Sequence, residues 1–408
     1  MQTEQAPASD GRTGLRVAGG AFLVVGILAL AFNLRSTITG LPPVFPELES
    51  VLHISAASLA VLAAVPVLCF GVFSGAGAPL SRRYGEERVL CAALLLVVVG
   101  LLLRSLAPSA LLFPGTIVAG AGIALMNVLL PSLVKRRMPD RAGLVIGLYL
   151  LALSAGAITA SALAVPLFTG AGGGLVATRL ILGVWAGPAV IAVLIWLPQL
   201  RFRTIPDRGQ ARQAGALAMR RHALAWQVTL FMGLQSLAYY AALSWFPTMF
   251  RDRGVSAAYA GTLLALMNVG NAVTALAMPV LAQRARDQRW LAVISMVMSG
   301  IGLVGAGFGP TGLAPLFMLL LGFGQGACLA LGIYYTMARA PDPVAAASLS
   351  AFSQGVGYLI ASTGPLLIGL LHTVTGGWSA SIAVLLAVGV LQLITGWLAG
   401  RPLTVPTA

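Results

Sequence analysis

Gly120-Ala121-Gly122 opens a stretch that reaches Pro139-Asp140 seventeen residues beyond its second glycine, and Gly322-Phe323-Gly324 reaches Pro341-Asp342 over the same interval. The two copies stand about 202 positions apart, and the echo continues outward from them. Asn33 aligns with Gln235, Phe45-Pro46 with Phe246-Pro247, and Ser55-Ala56-Ala57 with Ser256-Ala257-Ala258, the last two at an offset of 201. Four matches in one order are the mark of an internal duplication. The midpoint falls on Gln199–His222, the one long polar connection, which carries six arginines against Asp207 alone.

Both copies are built of apolar segments. Of 408 residues 58% are hydrophobic and 9% charged, with a mean hydropathy of +0.92. Soluble domains carry about a quarter charged residues, so a water-soluble globule is excluded. A helix needs roughly 20 apolar residues to cross the hydrocarbon core. On that basis twelve spans are expected, at 17–46, 55–80, 88–106, 109–134, 142–169, 175–198, 223–250, 256–283, 289–309, 312–337, 345–372 and 378–399. Backbone groups must be paired in lipid, and the period-2 alternation of barrel strands is missing, so the spans are helices. The expected architecture is an all-α membrane protein of two six-helix repeats. Its parts are a tail 1–16, a first bundle 17–198, a linker 199–222, a second bundle 223–399 and a tail 400–408.

Charge sets the orientation. Lys+Arg is 25 against 11 Asp+Glu, and with the N-terminus inside, 20 of the 25 fall on the inner side. Arg104, Arg179, Arg251 and Arg253 fall outside, and Arg35 belongs to neither. This is the positive-inside pattern, with both termini cytoplasmic in a bacterial inner membrane. It also accounts for the basic balance without nucleic acid, which would need a basic face on a soluble domain. Cys69, Cys91 and Cys328 lie in apolar stretches and read as core residues. No metal-spaced cluster, nucleophile–base pair or phosphate-binding glycine loop is present, so neither enzyme chemistry nor ATP is implied, and no cofactor is expected. A selectivity ring from symmetric subunits, as a channel needs, suits a two-fold duplicated chain poorly. A monomer in the bilayer that carries a small-molecule solute is the expectation.

Large polar side chains inside spans are costly, so they mark the helices that line a passage. Spans 1, 4, 7 and 10 carry Asn33, Arg35, Asn127, Gln235, Tyr239, Tyr240, Gln325, Tyr334 and Tyr335; spans 5, 8 and 11 add Tyr149, Asn268, Asn271, Gln354 and Tyr358. Spans 3, 6, 9 and 12 are nearly bare, Gln392 excepted. Gln235 with Tyr239, and Gln354 with Tyr358, are four apart and share a helix face. Amides of this kind also bond simply between helices, and tyrosines also pack at an aromatic belt, which leaves Tyr149 and Tyr239 as the phenols placed mid-span.

Arg35 lies eighteen positions into the first span, roughly 27 Å along a straight helix. A charge at that depth costs about 3 kcal/mol or several times more unless it is compensated. All eleven acids lie in loops or at span ends, so no carboxylate shares its depth. The passage is left net positive and suits an anion or an electron-rich group that matches the planar guanidinium fork. Two structural roles compete: capping carbonyls where Gly40, Pro42, Pro43 and Pro46 interrupt the span, or reaching outward to Glu47. The substrate set expected around it is Asn33, Asn127, Tyr149, Gln235, Tyr239, Asn268 and Gln354. His53, His222 and His372 fall at span ends, so no titratable relay is evident.

The segments Asn33-Leu34-Arg35, Pro131-Ser132-Leu133-Val134-Lys135-Arg136-Arg137-Met138-Pro139-Asp140-Arg141 with Gly147-Leu148-Tyr149, and Gly233-Leu234-Gln235-Ser236 through Trp245-Phe246-Pro247 resemble the cyanate permease and 2-nitroimidazole transporter family. That family is a branch of the major facilitator superfamily, and the resemblance runs across essentially all twelve spans. It implies two lobes that rock about a site near the membrane midplane. Gly77-Ala78-Pro79-Leu80-Ser81-Arg82-Arg83-Tyr84-Gly85 resembles the superfamily's loop between spans 2 and 3, where many members have an acid in place of Ser81. Arg82, Arg83 and Arg88 meeting Asp140 or helix C-termini would then supply the inner gate. Ser154-Ala155-Gly156-Ala157 departs from the span-5 Gly-Pro signature of drug antiporters, which speaks against the alternative of a multidrug exporter.

Overall fold

The chain is described by a computed structural model over residues 11–205 and 219–405, with the side chains of residues 11–20 and of Pro343 outside that description. Apolar runs free of β-alternation become helices: α1 Gly11–Thr39, α2 Ala56–Phe73, α3 Glu86–Leu106, α4 Pro108–Arg137 and α5 Ala142–Gly170. The sixth, α6, comes in two pieces, Gly174–Gly183 and Ala186–Trp196. The second half holds α7 Ala223–Asp252, α8 Ala257–Arg284, α9 Arg289–Phe308, α10 Ala314–Ala338, α11 Pro343–Thr375 and α12 Ser379–Ala399. Eleven of these columns are long and apolar enough to cross a membrane. The remaining one, α7, has the length, but Gln227, Gln235, Tyr239, Tyr240 and Ser244 dilute its apolarity.

Local chemistry sets the ends. Ser55 and Ser256, the aligned serines, both cap their helices, accepting from the backbone N–H of Ser58 and Tyr259. Asp342 caps α11 through the N–H groups of Val344 and Ala345, with Pro343 in the first turn where its missing N–H costs nothing. The first span is not the straight 17–46 helix expected from hydropathy. The α-helix begins at Gly11 and stops at Thr39, and Pro42–Val44 forms a 3-10 turn before a short helix, Phe45–Leu52. Gly40 and two prolines that cannot donate to the preceding turn explain the break.

The duplication is visible in packing. In the first half α4 lies on α2 and α3, α1 on α5 and α6, and α3 on α6; in the second, α10 lies on α8 and α9, α7 on α11 and α12, and α9 on α12. The halves meet through α2 with α11 and α5 with α8, again an equivalent pair. The repeated glycine pair explains why α4 and α10 are central. A Cβ on Gly122 would lie 2.2 Å from the carbonyl oxygen of Ala93 on α3, and one on Gly324 would lie 2.5 Å from the backbone N of Ser299 on α9. Gly120 and Gly322 face the other neighbour, against Cys69 of α2 and Met267 of α8. Each pair thus lets one helix touch two others at backbone distance, the small-residue packing that membranes favour.

One end of the bundle carries the arginines. There Glu86 and Glu87 at the start of α3 are buried and pair with Arg136 and Arg137 at the end of α4. Glu87 also accepts from the backbone N–H (2.7 Å) and hydroxyl (2.5 Å) of Thr204, which ties the start of the linker to the first half. The rest of the expected linker, 206–218 with Arg208 and Arg212, lies outside the described residues, as do 1–10 and 406–408.

Gly122→Val and Gly324→Val are expected to destabilise the protein by about 1–3 kcal/mol or more, because the clash is with backbone. Gly147→Ala, where a Cβ meets no atom within 4 Å, is expected to stay within roughly 0.5 kcal/mol of the parent. Apparent melting temperatures in detergent, measured side by side, check the contrast.

Candidate functional site

Arg35 stands near the middle of the column Ala21–Leu52, where the two halves face each other. It is only partly covered, whereas Asn33, Leu34 and Ser36 beside it are buried. Its Nη1 donates to the Tyr240 hydroxyl across the interface at 3.1 Å. The guanidinium carbon lies 5.3 Å from the ring centre of Tyr239 and 5.5 Å from that of Tyr240, within reach of cation–π attraction. Tyr149 from α5 and Tyr358 from α11 complete its polar surroundings. Phe70 of α2 packs edge-on against Tyr240 and Tyr358, so six helices contribute nothing anionic to this charge: α1, α2, α5, α7 and α11 directly, and α8 through Asn268.

Both structural roles open to Arg35 are performed by other arginines. Arg104, at the end of α3, is 1% exposed and donates to the carbonyls of Leu182 (2.9 Å) and Thr37 (3.3 Å), where the first piece of α6 and α1 end. Its charge is met by two helix C-termini. The charge count places Arg104 on the outer side, at the end of the span 88–106; the structure buries it there. Arg253 likewise reaches the carbonyls of Ala306 and Gly309 at the end of α9, and Arg339 those of Ala399 and Gly400 at the end of α12. Glu47 pairs with Arg251 of the second half at 2.7 Å. Arg35 alone of this group of buried or half-buried arginines has neither a carbonyl nor a carboxylate as its acceptor.

The other expected site residues divide into two groups. Tyr239 and Tyr149 gather at Arg35, with the Tyr239 hydroxyl held at 2.8 Å by the Asn268 side-chain oxygen. Asn268 donates to the Leu264 carbonyl and is buried, so it positions Tyr239. Asn127 on α4 is partly accessible and its amide makes no hydrogen bond to a described residue. Gln354, one turn before Tyr358, is partly accessible and donates to the Ser350 hydroxyl. Asn33 instead turns to α6, donating to Ala29 and Pro188 carbonyls, and Gln235 is buried against Gln325 of α10. These two amides join helices within one half. Of the expected gating residues, Arg83, Arg88 and Asp140 are exposed and Arg82 half-buried, with no ion pair among the four. The ion pairs at that end are Glu86–Arg136, Glu87–Arg137 and Asp287–Arg289.

Phe70 is a site residue that sequence reasoning passed over, and Tyr240 and Tyr358, counted among the polar residues of the lining spans, were left out of the expected substrate set. Span 2 looks bare of polar residues, and a phenol does not reveal from sequence whether it meets a headgroup or a guanidinium. The adjacency Tyr239-Tyr240 opposite a lone Arg was the available signal.

Outward of Arg35 the halves are shut. Glu47–Arg251 and the edge-on pair Phe45–Trp245 (ring centres 5.9 Å apart) close that end. A cavity of about 20 Å³, lined by Thr37, Arg104, Thr116 and Ser244, is all that remains there, which is space for one water. At the arginine-rich end, Leu144 and Val344 are exposed and a Cβ on Gly143, Gly147 or Gly355 would meet no atom within 4 Å. Packing is therefore looser toward the basic end than at the outer end.

Residues 21–365 match the profile of the Major Facilitator Superfamily. The chain is 39% identical to the 2-nitroimidazole transporter of Escherichia coli (strain K12) over 93% of its own length and 95% of that protein. It is 31% identical to the cyanate transport protein CynX of the same organism, over 87% and 91% of the two chains. Among solved structures it superimposes on an inward-facing, unoccupied bacterial homologue of the human lysosomal transporter Spinster with a TM-score of 0.75, covering 94% of this chain and 97% of that one at 15% identity.

Arg104→Met leaves two buried carbonyls without their charged donor. It is expected to cost about 2–4 kcal/mol of stability, seen as a lower melting temperature in detergent, while any stabilisation by ligand through Arg35 persists. An unshifted melting temperature would mean that the ends of α1 and α6 do not depend on it.

Proposed function

The chain belongs to the major facilitator superfamily, and we propose that this multi-pass transporter carries a small anionic or polar-planar solute, of the cyanate, nitro-compound or small-carboxylate type, with Arg35 as its main polar ligand. The carrying observation is that Arg35 is accessible, mid-bundle and matched by no carboxylate or carbonyl, while the capping and outer ion-pair roles belong to Arg104 and Arg251. One guanidinium N–H goes to Tyr240; the others can take two oxygens of a planar group side by side. Because Arg35 donates to the Tyr240 oxygen, the phenol's own proton is left to donate to the same solute. The Tyr239 and Tyr240 rings line the guanidinium and suit a flat partner. The solutes for which the two Escherichia coli relatives are named, a nitro-heterocycle and a linear anion, share that electron-rich character.

Alternating access follows from the two-lobed packing. Rocking about α2–α11 and α5–α8 would break Glu47–Arg251 and Phe45–Trp245 and close the basic end, exposing Arg35 to the other side. In this reading the arginine-rich end and both termini lie in the cytoplasm of a bacterial inner membrane, and the transporter works as a monomer. Asn127 and Gln354 are further solute contacts, and Arg82, Arg83, Arg88 and Asp140 meet only when the basic end closes.

A thermal-shift screen of the purified protein against cyanate, nitrate, acetate and 2-nitroimidazole tests the solute class, since a ligand of the native state raises its apparent stability. Arg35→Ala is expected to abolish the best shift. Arg35→Lys, which keeps charge but loses the fork, is expected to reduce transport about tenfold or more. Tyr240→Phe is expected to weaken binding roughly fivefold, the worth of about one hydrogen bond. Parent-like uptake by Arg35→Lys at equal expression would remove the guanidinium from the solute-binding role.

A further inference from the structure

The outer face of the second half, where α9 and α12 run side by side, is not uniform. At the arginine-rich end Trp290 and Trp397 stand edge to face, ring centres 5.6 Å apart, and both are exposed, Trp290 at 64%. The Arg289 guanidinium carbon lies 5.2 Å from the Trp397 ring centre. Asp287 is the acid paired with Arg289 among the described residues, at 3.6 Å, and with Arg284 and Arg286 exposed just before it the corner keeps a positive balance. Seven residues further in on each helix, roughly 10 Å, come Val297 and Val390, both more than half exposed. They border a cavity of about 170 Å³ that runs inward past Gly300 and Gly389 to Ala238 and Ala242 of α7. The polar side chains around it are engaged or turned away. Gln325 Nε2 donates to the Ser299 hydroxyl at 3.0 Å, and the Gln392 amide is fully buried beside the Cys328 thiol.

We infer that α9 and α12 hold one phospholipid of the leaflet at the arginine-rich end, its phosphate at Arg289 and the far part of one acyl chain turned into the cavity. Depth, charge and polarity agree on this occupant. Tryptophan pairs of this kind stand at the level of the headgroups, and the positive corner beside them suits a phosphate. Half of the hydrocarbon core is about 15 Å thick, so a cavity roughly 10–15 Å below the tryptophans lies where acyl chains end. A cavity of about 150 Å³ takes benzene, so about six chain carbons fit. Waters are a poor filling, because each needs two to four polar partners. Lipid tails are as apolar as this wall, so the gain is packing: the chain restores van der Waals contacts that an empty cavity forfeits. The duplication separates this site from ordinary boundary lipid. An offset of 202 puts Arg88 where Trp290 stands and Val98 where Gly300 stands, and Trp196, near the end of α6, is buried and donates to the Glu87 carbonyl. The first half therefore has neither the aromatic corner nor the opening between the equivalent helices. Ala238 and Ala242 flank Tyr239 and Tyr240 in sequence, so the chain braces the helix that carries two tyrosines of the Arg35 site.

The test is native mass spectrometry of the full chain in a nonionic detergent, titrated with dioleoylphosphatidylglycerol and with dihexanoylphosphatidylglycerol, whose chains end short of the cavity. The first dioleoyl lipid is expected to bind the parent about tenfold more tightly than those that follow, and more tightly than the dihexanoyl lipid. Gly389→Leu, where the new Cβ meets only Met296 at 3.6 Å, is expected to fill the cavity, weaken that first dioleoyl event about tenfold and leave the dihexanoyl lipid unchanged. Arg289→Ala is expected to weaken both lipids about fivefold. Gly187→Leu, at the equivalent position of the first half where a Cβ also has open space, is expected to change neither. A first event no tighter than later ones, dioleoyl binding that survives Gly389→Leu, or an equal loss in Gly187→Leu would each overturn the inference. So would a dimer that Gly389→Leu splits, since the face would then be covered by a second copy of the chain. Should a variant fail to fold, the comparison of the two lipids, and of first with later binding, on the parent still decides it. Lipid binding is read without any solute, so its failure leaves the role of Arg35 untouched, and the reverse also holds.

Discussion

A guanidinium inside an apolar bundle has to be satisfied by something, and this chain has no carboxylate at the depth of Arg35. Three other arginines, two of them buried and one half-buried, show the ordinary solution. Arg104, Arg253 and Arg339 each reach the last carbonyls of a neighbouring helix, where the partial negative charge of the helix end balances the cation. Arg35 sits on the same kind of broken helix and finds no such end, because Arg104 already occupies the carbonyls of Thr37 and Leu182. What surrounds it is one phenol oxygen and the rings of Tyr239 and Tyr240. Those groups hold the guanidinium in place across the interface while leaving its charge unmatched, the feature on which the proposed solute role rests.

The glycine pairs explain how such a site can move. Gly120 and Gly122 weld α4 to α2 and α3, and Gly322 and Gly324 weld α10 to α8 and α9, so that each half behaves as one packed body. Between the halves, the outer end is closed by one partly accessible ion pair, Glu47–Arg251, and a few aromatic contacts, of which Phe45–Trp245 is buried. An interface of that kind can be remade at either end at modest cost, while the interior of each half cannot. The central arginine, shared through Tyr240, lies on the line between the two.

Amides carried a mixed message. Asn33 and Gln235 align in the duplication and stand where a solute contact would be expected, yet both are spent on helix–helix bonds within their own half, Asn33 to Pro188 and Gln235 to Gln325. Asn268 is one step removed, fixing the Tyr239 hydroxyl. Composition identifies an amide as costly in lipid but is blind to which neighbour relieves the cost. Gln392 makes the same point in reverse: an isolated exception on an outer helix by sequence, it is fully buried, with the Cys328 thiol beside its amide.

Span number, the duplication, the excess of arginine at one end and the missing intramembrane carboxylate were all legible in the chain, because hydropathy and repeat spacing are properties of consecutive residues. The cap serines at Ser55 and Ser256 belong to that class as well. Which arginine braces and which stays available was not legible, since Arg104 differs from Arg35 only in the carbonyls that other helices bring to it. The roles of Phe70, Tyr240 and Tyr358 and the burial of Glu86 and Glu87 against Arg136 and Arg137 likewise arise only when distant segments meet. A side chain's cost in the membrane is written in its own chemistry; its compensation is supplied by whatever the fold places against it.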